Sequence, residues 1–136
     1  MKTIVLGYDE SPEAGRALEK TAELAKALSA TVVVTSVAPV MHMAGRGIGP
    51  YDPADPPERH RVLAGDATTV LSGQGIAAKA VTGLGEPGHT IVELADHEKA
   101  DLIVLGMSHH PHLSRVLGSG SDDVAHHADC DVLLVH

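Results

Sequence analysis

Two textures of apolar residue alternate along the chain. In the first, Val, Ile, Leu and Ala fill short continuous runs: TIVLGYD (Thr3 to Asp9), ATVVVTSVA (Ala30 to Ala38), GIAAKAVTG (Gly75 to Gly83), ADLIVLGM (Ala100 to Met107) and CDVLLVH (Cys130 to His136). Runs that do not alternate with polar residues suit strands covered on both faces, the alanine-rich third being the weakest. In the second texture, apolar residues recur at helical spacing. Ser11 reads as an N-cap and Pro12 as the first helical position, ahead of Ala14, Leu18, Thr21, Ala25 and Leu28. A second helix is expected from Glu58 to Leu71, with Leu63, Ala67, Val70 and Leu71 inward. Pro87 opens a third with Ile91, Leu94 and Ala95 on one side, and Ser119 to Ala128 has room for a last. Strands separated each time by a helix-length crossover specify an α/β domain spanning residues 1–136, with a five-stranded parallel sheet and helices on both faces. One segment breaks the alternation. Pro39, Gly45, Gly47, Gly49, Pro50, Pro53, Pro56 and Pro57 predict a long Pro/Gly-rich loop over residues 39–57, its Met41 and Met43 packing against the domain.

In such sheets ligands bind beyond the carboxyl ends of the strands, where the strand order reverses. Asp9, the Val37 region, Gly106 and the loop from 106 to 119 all fall there, so residues far apart in sequence can meet. That loop, within GMSHHPHLSRVLGSGSDD, has the chemistry of a phosphate cradle. Gly106 lets backbone approach a ligand, while Gly118 and Ser119 can open a helix whose free amides face outward. Ser119 and Ser121 add hydroxyls, and Arg115 brings a permanent positive charge. The plainer reading is that Gly106 ends a strand, Gly118 makes a turn and a serine caps a helix, with Asp122 and Asp123 answering the helix dipole.

Charge and composition narrow the partners. A net charge of -8 with ten Lys and Arg opposes nucleic-acid and anionic-membrane binding, which need a positive face. Tyr8 and Tyr51 are the only aromatic residues, leaving no stacking platform for bases. No run approaches the roughly 20 apolar residues of a membrane span, and MKTIVLGYDE turns acidic too early for a secretory leader. With Cys130 as the single cysteine, the expectation is a cytoplasmic protein without an internal disulfide.

IVLGYDESPEAGRAL, GEPGHTIVELADHEKADLIVLGMSH and LGSGSDDVAHHADCDVLLV, in register over nearly the whole chain except residues 39–57, resemble the universal stress protein family. The resemblance implies a flavodoxin-like, Rossmann-like domain that dimerises through its last strand and binds ATP or AMP, with magnesium accompanying ATP. It places Asp9 near the nucleoside, the backbone around Val37 against adenine, and Gly106, Gly118, Ser119 and Ser121 around the phosphates. The family's second glycine position carries His109, and the interval from His109 to Gly118 is one residue short of the family pattern. The ring puts a Cβ where bare backbone normally meets phosphate, yet as an imidazolium it can donate to that same phosphate. The implied function is a nucleotide-binding stress-response or regulatory protein acting by binding. With no lysine in the phosphate loop and no base set to activate water, any hydrolysis is slow or absent. The competing reading is a dimeric interaction module that binds no nucleotide, its phosphate loop degenerate.

The remaining candidates are weaker. His109, His110, His112, His126 and His127 raise a metal reading, but neighbouring histidines in extended backbone point apart and lack spaced Cys or carboxylate partners. His42, His60, His89, His97 and His136 are scattered and need no function. A triad drawn from Ser108, His109 and Asp9 lacks a nucleophile-elbow pattern. Cys130, just before the last strand, reads as an ordinary small packed residue.

Overall fold

The computed structural model describes residues 2–43, 47–107 and 120–136. Five strands form one parallel sheet: β1 (Thr3–Gly7), β2 (Thr31–Thr35), β6 (Ala78–Ala80), β8 (Leu102–Gly106) and β9 (Asp131–Val135), in the order β6-β2-β1-β8-β9. The chain winds outward from β1 through β2 to β6, then crosses back to β8 and β9. The strand order therefore reverses between β1 and β8, a flavodoxin- or Rossmann-like arrangement that opens a crevice at their carboxyl ends.

Helices α1 (Pro12–Leu28) and α2 (Pro57–Gly73) cover one face; α3 (Pro87–His97) and α4 (Gly120–His127) cover the other. Side-chain alternation divides the core accordingly. Ile4, Leu6, Val32, Val34 and Val104 pack with Ala17, Ala64 and Leu71, whereas Val5, Val33, Ile103 and Leu105 pack with Ile91, Ala95 and Val124. Both faces of each central strand are thus apolar, which is why the runs show no alternation. With no Phe or Trp, small alanines let helix backbones approach the sheet closely. Ser11 caps α1 as its sequence predicts, its Oγ accepting from Ala14 N–H at 3.1 Å, with Pro12 at the first helical position.

Three expectations are corrected. Residues 39–57 are not one loop: β4 (Val40–Met43) pairs antiparallel with β5 (Gly47–Tyr51). The glycines and prolines that read as breakers are tolerated because this ribbon is a two-stranded edge, where one side of the backbone goes unpaired. The second run divides at Ser36 into β2 and β3 (Val37–Ala38), and β3 leaves the main sheet to pair in parallel with β7 (Gly83–Leu84). The inward face of α2 consists of His60, Ala64, Ala67 and Leu71. Val70 lies 46% exposed, because the stripe runs one position away from the one its larger residues suggest. Among the described residues, no helix is long and apolar enough to cross a membrane.

Candidate functional site

Asp9 and Val37 each lie two residues beyond the register pair Gly7↔Thr35, at the carboxyl ends of β1 and β2. Tyr8 N–H extends the ladder by donating to Thr35 O at 2.8 Å. Asp9 is exposed and oriented by its own turn: Oδ1 accepts from Ser11 N–H at 2.9 Å. A carboxylate has acceptor capacity beyond that one bond, enough for a ligand hydroxyl.

The strand break at Ser36 decides which way Val37 faces. Ser36 O accepts from Gly83 N–H at 3.5 Å and Ala38 O from Gly85 N–H at 2.9 Å, so both residues address β7. In extended backbone successive residues direct their peptide groups to opposite sides. Val37 therefore turns its N–H and C=O toward the β1 side, where Asp9 lies. Its side chain is buried in the core. A paired donor and acceptor at a sheet end suits the edge of a planar heterocycle.

Gly106 ends β8 one position beyond Leu105, the partner of Gly7, which brings it to the same crevice. Its glycine identity has a local cause. A Cβ there would lie 2.6 Å from Glu13 C and 2.7 Å from Ala14 N, so the first turn of α1 occupies the space that a side chain would need. The glycine admits the helix. Beyond it, Met107 N–H donates to Val135 O at 2.7 Å and Arg16 Nε–H to His136 O at 2.6 Å, tying the β9 end to β8 and α1. Ser121 is half-buried in the first turn of α4, beside Asp122 and Asp123. His109, Gly118 and Ser119, together with Ser108, His110, His112 and Arg115, lie outside the described residues. The structure thus gathers Asp9, Val37 and Gly106 at one edge of the sheet.

Beneath that edge lies a polar chain. His60 is 5% and Ser36 2% exposed, and Ser36 Oγ lies 2.7 Å from His60 Nδ1. On the other side of the ring, His60 Nε2 is 2.7 Å from Asp55 Oδ1, which also accepts from Arg59 Nη1–H at 2.6 Å. Arg59 Nη2 pairs with Glu10, the neighbour of Asp9. A carboxylate only accepts, so Nε2 carries a proton, and in the neutral ring Nδ1 accepts from the Ser36 hydroxyl. Leaving Ser36 or His60, the two buried members, unpaired would cost about 1–3 kcal/mol.

Scattered placement hid His60 in the sequence, but a signal was there. It falls four residues before Ala64 and seven before Ala67 on the same helical stripe, and a polar ring on an apolar stripe must have partners. Of the loop-flanking histidines, His126 and His127 are exposed on α4, with His127 Nδ1 2.9 Å from Asp123 O. No group of three His, Cys, Asp or Glu able to hold a metal occurs among the described residues. Cys130 sits at the opposite end of the sheet, where burial first, then the carboxylates of Asp131, Asp96 and Asp101, push its thiol up from the ordinary range. On α2, the Arg61 guanidinium bonded to Glu58 at 2.5 and 2.8 Å draws that exposed carboxyl down.

The family model of the universal stress proteins matches residues 1–136. The chain belongs to the universal stress protein family. A universal stress protein of Synechocystis is 35% identical over 109 residues, an alignment spanning 77% of this chain and 66% of that protein. Universal stress protein A homolog 1 of Coxiella burnetii is 29% identical over 98% of this chain and 95% of its own length. Among solved structures, a universal stress protein in complex with cAMP superposes with a TM-score of 0.75 at 25% identity, covering 99% of this chain and 97% of that one. The family's fold is thus present throughout, and the edge that carries Asp9, Val37 and Gly106 is the strand-order reversal of a universal stress protein domain.

Proposed function

We propose that the chain binds an adenine nucleotide, ATP or AMP, at the carboxyl edge of the sheet, and serves in stress response or regulation by binding rather than by turnover. The observation that carries this reading is the peptide of Val37, turned toward β1 beside Asp9. It offers an adenine edge one donor and one acceptor, while Asp9 is placed for sugar hydroxyls. The universal stress protein solved with cAMP supports the ligand class. Phosphates fall to Gly106, Gly118, Ser119 and Ser121, with magnesium accompanying ATP. His109 adds an imidazolium contact that strengthens as pH falls from about 7.5 to 6, since a ring facing phosphate has its pKa raised in the complex and the gain fades as pH rises through that value.

The same reading makes the protein a homodimer through β9. This terminal strand of the sheet pairs with β8 on one side, and Val132, Leu133, Leu134 and Val135 are only half-buried. An apolar edge of this kind needs a partner or a cover.

Calorimetric titration with ATP, ADP and AMP, with and without magnesium, tests the function. The expected dissociation constants are micromolar, about -8 kcal/mol. His109→Gly should abolish the pH dependence if the ring contacts phosphate, and should raise affinity at neutral pH if the ring obstructs it. Absence of binding at millimolar ligand in both forms would favour an interaction module that takes no nucleotide.

A further inference from the structure

We infer that His60 is a positioning residue for base selectivity: held through both ring nitrogens, it fixes Ser36 and thereby the Val37 peptide that meets the base. This rests on the adenine-nucleotide reading above and deepens it. The physical basis is that Ser36 is pinned from two directions. Its hydroxyl bonds His60 Nδ1 on α2 at 2.7 Å, and its carbonyl accepts from Gly83 N–H in β7 at 3.5 Å. With both groups engaged, turning the adjoining peptide parts the long contact to Gly83 and moves Ser36 against its buried bond to His60. Asp55 holds the far side of the ring at 2.7 Å, which keeps a proton on Nε2 and, in the neutral ring, makes Nδ1 the acceptor. Through Arg59 and Glu10 the same first turn of α2 also reaches the residue after Asp9. Base-facing and sugar-facing sides of the edge are thus referenced to one helix end.

Hydrolytic chemistry is the other use to which a serine, a histidine and an aspartate in series could be put. Ser36 is 2% exposed beneath the sheet end, so its hydroxyl meets no substrate. The arrangement is suited to holding backbone, not to attacking a carbonyl. Among the described residues its bonds involve neither Gly106 nor Ser121, and its effect is on the base.

The test compares AMP with inosine monophosphate, which differs at the purine 6-position by an oxygen in place of the amine and so exchanges a donor for an acceptor. The unaltered chain should prefer AMP. His60→Leu should weaken AMP about tenfold, the scale of one lost directional bond, and bring the two ligands to similar affinity. Asp55→Ala, at a part-exposed residue, should shift the preference the same way, and Asp55→Asn should restore it because the amide oxygen still accepts from Nε2–H. Equal weakening of both ligands, or no preference in the unaltered chain, would overturn the inference. If the unaltered chain binds no adenine nucleotide, the functional reading fails separately, and amide exchange of residues 36–38 without ligand decides the clamp: faster exchange in His60→Leu upholds it, unchanged exchange refutes it.

Discussion

The two ends of the sheet use polar groups in opposite ways. At the amino end, Asp101 Oδ2 accepts from Thr3 N–H at 2.9 Å and Lys79 pairs with Glu98 at 3.1 Å, with the lysine 60% exposed. Water screens these contacts and can replace them, so each stabilises little. At the carboxyl end, Ser36 and His60 bond beneath the surface, and Asp9 is oriented by Ser11. Around Ser36 and His60 water has no access to stand in for a lost partner, and geometry is held closely. Strand polarity alone would not make this difference. It arises because β2 breaks at Ser36, and because α2 delivers a histidine to the break.

Gly106 gives the sharpest test of how tightly the carboxyl end is built. Gly106→Val should destabilise the fold by about 3 kcal/mol or more, since even its Cβ would meet the α1 backbone 2.6 Å away. Urea unfolding measures this directly, and a near-neutral result would mean that α1 can retreat from β8. Gly118→Val should act differently: nucleotide affinity falls about a hundredfold, roughly 2.7 kcal/mol, while circular dichroism stays unchanged. Full affinity in a folded variant would remove Gly118 from the phosphate path. These two outcomes together would tie Gly106 to the helix and Gly118 to the ligand.

The sheet and its helices were legible because continuous apolar runs and helical spacing are both strong: ADLIVLGM and DVLLV became β8 and β9, and Ser11-Pro12 began α1 as their chemistry dictates. The placement of Asp9 and Gly106 at the carboxyl edge was legible from strand polarity. What escaped was nonlocal. The break at Ser36 depends on β7, a two-residue strand with no hydrophobic signal of its own. The β4–β5 pairing hid behind prolines and glycines that an edge ribbon tolerates. His60 looked idle because its partners lie 24 residues before it in Ser36 and five before it in Asp55. Val70 looked buried because it is apolar, although the stripe of α2 passes it by.

Smaller effects should mark the amino end. Asp101→Ala removes a carboxylate acceptor from Thr3 N–H, but the exposed amide can turn to water, so the loss should be about 1 kcal/mol or less by urea unfolding. Lys79→Ala should cost about 0.5 kcal/mol or less, and less again in high salt. A loss above about 2 kcal/mol from either would erase the contrast between the two ends. Dimerisation through β9 is read separately by sedimentation equilibrium over a range of concentrations, where twice the chain mass is expected and a monomer throughout would refute it.

The smallest effect expected is kinetic and concerns Cys130. Its thiol is pushed up chiefly by burial, and further by Asp131, Asp96 and Asp101. Only the thiolate is nucleophilic, so alkylation by iodoacetamide near neutral pH should be slower in the folded protein than in the urea-unfolded chain. Steric cover alone would also slow the reaction, but by a factor that does not change with pH. A raised pKa predicts otherwise: the folded protein is slowest relative to the unfolded chain at neutral pH, and the gap narrows as pH rises through the folded value, where the thiolate becomes populated in both states. Asp131→Asn should narrow the gap at neutral pH more than Asp101→Asn does, following the order in which the two carboxylates act. A rate ratio independent of pH would assign the protection to packing, and would mean that the carboxylates at this end are screened even from a half-buried neighbour.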